Sequence, residues 1–127
     1  MGQQQLLLVI LVTILIGVAA VVAIDTMQEA RTNSNETAVR QDILMILNDA
    51  QIYYRKPEMV GGGGNSFDGI SQQHILSVEP KNENGYYEIS GSGNTLTVTG
   101  TGSDASVKVI ATATINGDGM EISWSTP

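Results

Sequence analysis

Residues 6–24, LLLVILVTILIGVAAVVAI, carry one hydroxyl (Thr13) and no charge, and nothing else in the chain restricts its solvent so tightly. A run of about 20 apolar residues is what a helix needs to cross the hydrocarbon layer of a bilayer. A secretory signal peptide is the second reading, and Val21-x-Ala23 resembles a small-residue cleavage site. No Lys or Arg precedes the run, however, so the positive n-region is missing and the segment is expected to stay with the chain. The third reading is a helix that starts in a membrane and ends packed against copies of itself. Composition does not separate the first from the third.

The rest of the chain is small. Of 127 residues, about a fifth is spent on the N-terminal segment that ends with the apolar run, leaving about 100 for one domain with a modest core that support from neighbouring copies would help. The formal net charge is −7, and every Asp, Glu, Lys and Arg lies at or after Asp25. The water-facing part is therefore acidic, and nucleic acid is a poor partner for it. With no cysteine there is no disulfide framework, thiolate metal site or thiol nucleophile.

After the run comes DTMQEARTNSNETAVRQDILMILNDAQIYYRKP, helix-forming throughout and free of proline until Pro57. One helix is expected from the N-terminus to about residue 56. At ~1.5 Å per residue it would reach about 80 Å, so more than half must stand outside a bilayer. Its weak points are Gly17 and RTNSNE at residues 31–36, where Asn and Ser offer the backbone competing bonds. Because no proline interrupts the apolar part, the helix is expected to run through Gly17, with any disturbance falling at RTNSNE. Val39, Ile43, Ile46 or Leu47, Ala50 and Tyr53 or Tyr54 recur at helical spacing and mark a core face. Residues 43–47 are apolar all round, which suggests contact with other chains as well as with the domain's own core.

KPEMVGGGGNSFDG ends the helix and reads as a linker loop, since neither helix nor strand tolerates four glycines well. From His74 the period becomes two. HILSVEP, YYEIS, TLTVT, SVKVIATATI and MEISWS read as strands, with KNENG, GSGN, GTGSD and NGDG between them, and Asn116-Gly117 is a hairpin signal. Leu96 and Val98 alternate with Thr95, Thr97 and Thr99, which gives one apolar face and one hydroxyl-rich face. The fold class is α+β: an apolar helix half (1–24), an amphipathic helix half (25–56), a glycine-rich loop (57–73) and an antiparallel sheet (74–127) covered by the helix.

This order, with ILNDAQIYYRKP running into GGGGNSFDGI, resembles the type IV pilin superfamily over the whole chain, the Ala50-Gln51-x-Tyr53-Tyr54 segment being its most local likeness. The resemblance implies a structural subunit, inserted in the cytoplasmic membrane and then bundled through its N-terminal helix into an extracellular helical homopolymer. It implies filament-core positions at Leu6, Leu7, Leu8, Ile10, Leu11, Ile14, Leu15, Val18 and Val22. The alternative is a single-pass anchored binding domain or a minor pseudopilin of a secretion machine. Bacterial pilins carry a glutamate at the fifth mature position, whereas Gln5 stands here if Met1 is the first residue and Leu7 if cleavage follows Gly2. Gln3, Gln4 and Gln5 are expected to supply neutral amide acceptors instead. Absence of a proline in the apolar run brings the chain closer to archaeal filaments with continuous helices.

No catalytic constellation is read. His74 is the single histidine and is expected to sit partly exposed at a strand start. Asn116, Asp118 and Glu121 bring oxygens to a turn without a twelve-residue calcium-loop pattern, so a plain hairpin is favoured. Asn35-Glu36-Thr37 is a glycan sequon of low specificity. Neither metal nor cofactor is expected.

Overall fold

The computed structural model describes residues 2–104, 106–117 and 119–126. Helix α1 spans Gly2–Arg55 without interruption, through Gly17 and through RTNSNE. Two short 3-10 turns follow at Glu58–Val60 and Gln72–His74, and then five strands: β1 (Lys81–Asn82), β2 (Gly85–Ser92), β3 (Thr95–Gly102), β4 (Lys108–Asn116) and β5 (Gly119–Ser125). They form one antiparallel meander in chain order. Two compact units result, one ending at Asn33 and one starting at Ser34.

The second unit holds the core. Val39, Ile43, Ile46, Leu47, Ala50 and Tyr53 of α1 are buried, as the helical spacing predicts. They pack on Tyr87, Leu96, Val98, Val109, Ala111, Ala113 and Ile115 from one sheet face, with Phe67, Ile75, Val78 and Val107 completing the cluster. On the opposite face Thr97, Thr99, Thr101, Thr112 and Thr114 are half-buried, which keeps the hydroxyls on the water side.

Several glycines that read as turn signals lie inside strands. A Cβ on Gly100 would run into Val39, Ile43 and Tyr87, one on Gly91 into Phe67 and Ile70, and one on Gly102 into Asn35 and Val107. These glycines let helix and loop approach the sheet closely. GSGN and GTGSD are thus partly strand, and the β2–β3 turn shrinks to the two residues between Ser92 and Thr95, with Gly93 at φ +56°. KNENG likewise contains β1, whose turn is held by Asn82 Oδ1 accepting from the amides of Asn84 at 2.8 Å and Gly85 at 3.3 Å.

HILSVEP is not a strand. Ser71 and His74 form a capping box around the second 3-10 turn. Beyond it the Asp49 carboxylate accepts from the Leu76 amide at 3.1 Å and from the Ser77 amide and hydroxyl at 2.7 and 3.1 Å. A helix side chain thus takes donors that a ladder would have used. Ile75 and Val78 turn into the core at a spacing of three, leaving Leu76 88% exposed. His74 is half-buried at a turn end rather than a strand start, its Nδ1 accepting from the Ser71 amide and its ring tilted against that of Tyr53 with centroids 4.4 Å apart.

The glycine run is a cap, not a slack linker. The amides of Gly63, Gly64 and Asn65 donate to the carbonyls of Tyr53, Lys56 and Tyr54 at 2.9, 3.0 and 2.7 Å, satisfying acceptors that a helix end otherwise leaves unpaired. Gly63 is buried where a Cβ would strike Ser66 and the Tyr53 ring.

Candidate assembly surface

Gln3, Gln4, Gln5, Leu6, Leu7, Leu8, Ile10, Leu11, Ile14, Leu15, Val18 and Val22 all lie on α1 in the first unit, and all are exposed. Gln4, Leu8, Leu11, Leu15, Val18 and Val22 follow the alternating four-and-three spacing of a helix–helix seam. Gln3, Leu7, Ile10 and Ile14 follow a parallel one beside it. Since Val9, Val12, Ile16, Val21 and Ile24 are exposed too, the apolar surface closes around the whole circumference. No single face is singled out.

The threonine hydroxyls along this part of α1 bond back to the helix's own backbone. Thr13 Oγ1 donates to the Val9 carbonyl at 2.8 Å, and Thr26 Oγ1 to the Val22 carbonyl at 2.9 Å. Each hydroxyl is satisfied by its own helix, which removes the cost of presenting a free donor to an apolar medium. Gly17 leaves a shallow depression lined by Ile14, Val18, Val21 and Val22, with open space where a Cβ would stand. The helix is long and apolar enough to cross a membrane, and its most apolar window has no residue buried within the chain.

In the second unit α1 meets the sheet through polar contacts that no sequence pattern marks. Asp42 Oδ2 accepts from Tyr87 Oη at 2.5 Å, Asn84 Nδ2 at 2.9 Å and Asn82 Nδ2 at 3.1 Å, so one carboxylate ties the helix to the β1–β2 turn. Burial, then the hydrogen bond to Asp42, then the charge of Asp42 hold the Tyr87 phenol well above the usual tyrosine range. Arg40 pairs with Glu36 one turn back at 3.0 Å and lies 5.0 Å from the centre of the Trp124 ring. In sequence, Asp42 looks like any surface carboxylate of an amphipathic helix. Its function depends on three side chains some 40 residues away.

Asn35 belongs to the same helix–sheet junction. Its Nδ2, the atom an N-glycan would occupy, donates to the Asn84 carbonyl at 2.9 Å, and its Oδ1 accepts from the Asp104 amide at 3.4 Å. Of the turn oxygens considered for calcium, Asp118 lies outside the described residues, while Asn116 and Glu121 are exposed. Among the described residues no three His, Asp or Glu side chains converge as metal ligands.

Other apolar side chains of the second unit face water. Leu44, Met45 and Ile52 lie on the outer side of α1, and Met59, which is 98% exposed, and Val60 follow it. No family model, no curated protein and no solved structure matches this chain.

Proposed function

We propose that the chain is the structural subunit of an extracellular helical filament of the type IV pilus kind, held in the cytoplasmic membrane before assembly and bundled through residues 6–24. The observation that carries the reading is the closed apolar circumference of that stretch, with its one hydroxyl, that of Thr13, folded back on the helix. A membrane anchor alone needs such a surface once; a subunit that leaves lipid for a protein core needs it twice. Lipid is as apolar as the helix, so the gain on assembly comes from packing rather than from escape from water. The exposed Leu44, Met45 and Ile52 in the water-facing unit add a second surface suited to neighbouring copies. The role is structural rather than enzymatic, with copies of the chain as partners.

Electron microscopy of sheared cell-surface material, set beside a membrane fraction, tests this. The chain is expected in filaments. Leu11→Asp is expected to abolish them while the protein still inserts, since one central carboxylate costs roughly 3 kcal/mol on insertion scales. Normal filaments from Leu11→Asp would show that the run does not form the core. Wild-type protein found only in membranes would favour the single-pass anchored domain.

A further inference from the structure

The two edges of the sheet are managed differently. At one edge β1 is only two residues long, follows Pro80 and carries Lys81; shortness, proline and lysine are the usual means of blunting an edge. At the other, β5 runs for seven residues with no proline and no lysine. It stays in unbroken register with β4 from Asn116↔Gly119 to Ile110↔Ser125. It is an edge strand of the sheet, and among the described residues no strand lies beside its outer side. Its partners Ile115, Ala113 and Ala111 place Met120, Ile122 and Trp124 on the core face. There Met120 and Trp124 are only partly buried and Ile122 is 37% exposed, while Glu121 and Ser123 face water.

We infer that β5 pairs antiparallel with β5 of a second copy about a two-fold axis at Ile122, joining the two sheets into one. Self-complementarity of the strand selects this occupant. Pairing about Ile122 sets Met120 opposite Trp124, Glu121 opposite Ser123 and Gly119 opposite Ser125, each twice. Apolar meets apolar on the core face, where a thioether beside an indole is favourable, and the strand's one charge meets a hydroxyl. An axis at Glu121 would set two carboxylates directly opposite, which is destabilising. An axis at Ser123 would leave Gly119 and Met120 unpaired. Only the axis at Ile122 pairs every residue of β5 without opposing charges, and it extends the half-covered core of each copy across the junction.

The contact involves only residues of the second unit and does not depend on the filament reading. One such junction is weak. In a filament it would act as a two-fold link between neighbouring filaments, repeated along their length so that many weak contacts add up.

Because the chain has no cysteine, single introduced thiols report the register. Residues directly opposite in an antiparallel pair have Cα atoms about 4.5 or 5.5 Å apart, within disulfide reach. The full-length chain in membranes is treated with a mild oxidant and run on non-reducing gels. Ile122→Cys is expected to give a covalent dimer at about ten times the yield of Ser123→Cys or Glu121→Cys alone, whose thiols would be held about 8 Å apart. An equal mixture of Glu121→Cys and Ser123→Cys, both at exposed positions, is expected to cross-link where neither does alone. Monomeric Ile122→Cys together with an unlinked mixture, or equal yields from all the single variants, would overturn the inference and leave the filament reading as it was.

Discussion

The two parts of α1 are built from the same kinds of residue and solve opposite problems. In the first unit Leu, Ile and Val cover every side of the helix and none is buried; in the second, the same residue types are sorted so that Val39 and Ile43 are wholly inside, and Asp42 accepts a hydrogen bond from Tyr87 of β2. One stretch buries nothing within the chain, and the other buries one face against the sheet while Leu44, Met45 and Ile52 stay exposed. A helix surface therefore has to be judged by what covers it, since apolar content alone does not distinguish a finished interface from an unfinished one.

That contrast is open to direct attack. The largest effect on the fold is expected from Ile43→Ala, which should cost about 2–5 kcal/mol of domain stability, the range for emptying a packed site, read as a lowered thermal midpoint. Next is Gly100→Ala. Its methyl would meet Val39, Ile43 and Tyr87 at the helix–sheet contact and should cost about 1–3 kcal/mol, since the neighbours lie in a packed core. If Gly100→Ala were neutral, the close approach of α1 to β3 would not be tight.

Alkaline pH probes the polar junction. The folded-state pKa of Tyr87 is raised, so its contribution is fully present below the unfolded value of about 10 and is lost as pH rises through the folded value. Denaturant midpoints should hold steady up to about pH 10 and then fall. Tyr87→Phe is expected to lower stability at neutral pH and remove its part of the alkaline fall; an unchanged alkaline slope would show that other groups carry it. The smallest effect is expected from Ile14→Ala, the counterpart of Ile43→Ala in the apolar run. It should leave domain stability within about 0.5 kcal/mol, as for a site without tertiary partners. A loss comparable to that of Ile43→Ala would mean that the two parts of the helix are not energetically separate.

Local chemistry was enough to decide much of this. Unbroken helical propensity, absence of proline before Pro57, three-and-four spacing over Val39, Ile43, Leu47 and Ala50, and period-two alternation in TLTVT and SVKVIATATI led directly to a helix on an antiparallel meander. Each depends only on neighbours along the chain or on the side of an element that meets a core. The apolar circumference of residues 6–24 was equally legible, because solvent preference adds up residue by residue.

Tertiary structure decided where local rules were ambiguous. HILSVEP has strand-like composition, yet Asp49 takes its amides and Ile75 and Val78 serve the core at another spacing. Gly91, Gly100 and Gly102 look like turn signals, but they are strand residues beneath Phe67, Val39 and Asn35. Gly63 and Gly64 close the helix end, and Asp42 and Asn35 are junction residues. In every case the deciding partner is distant in sequence, and a glycine or a carboxylate looks the same in a one-dimensional pattern whether it bends a chain, faces water or makes room for a helix.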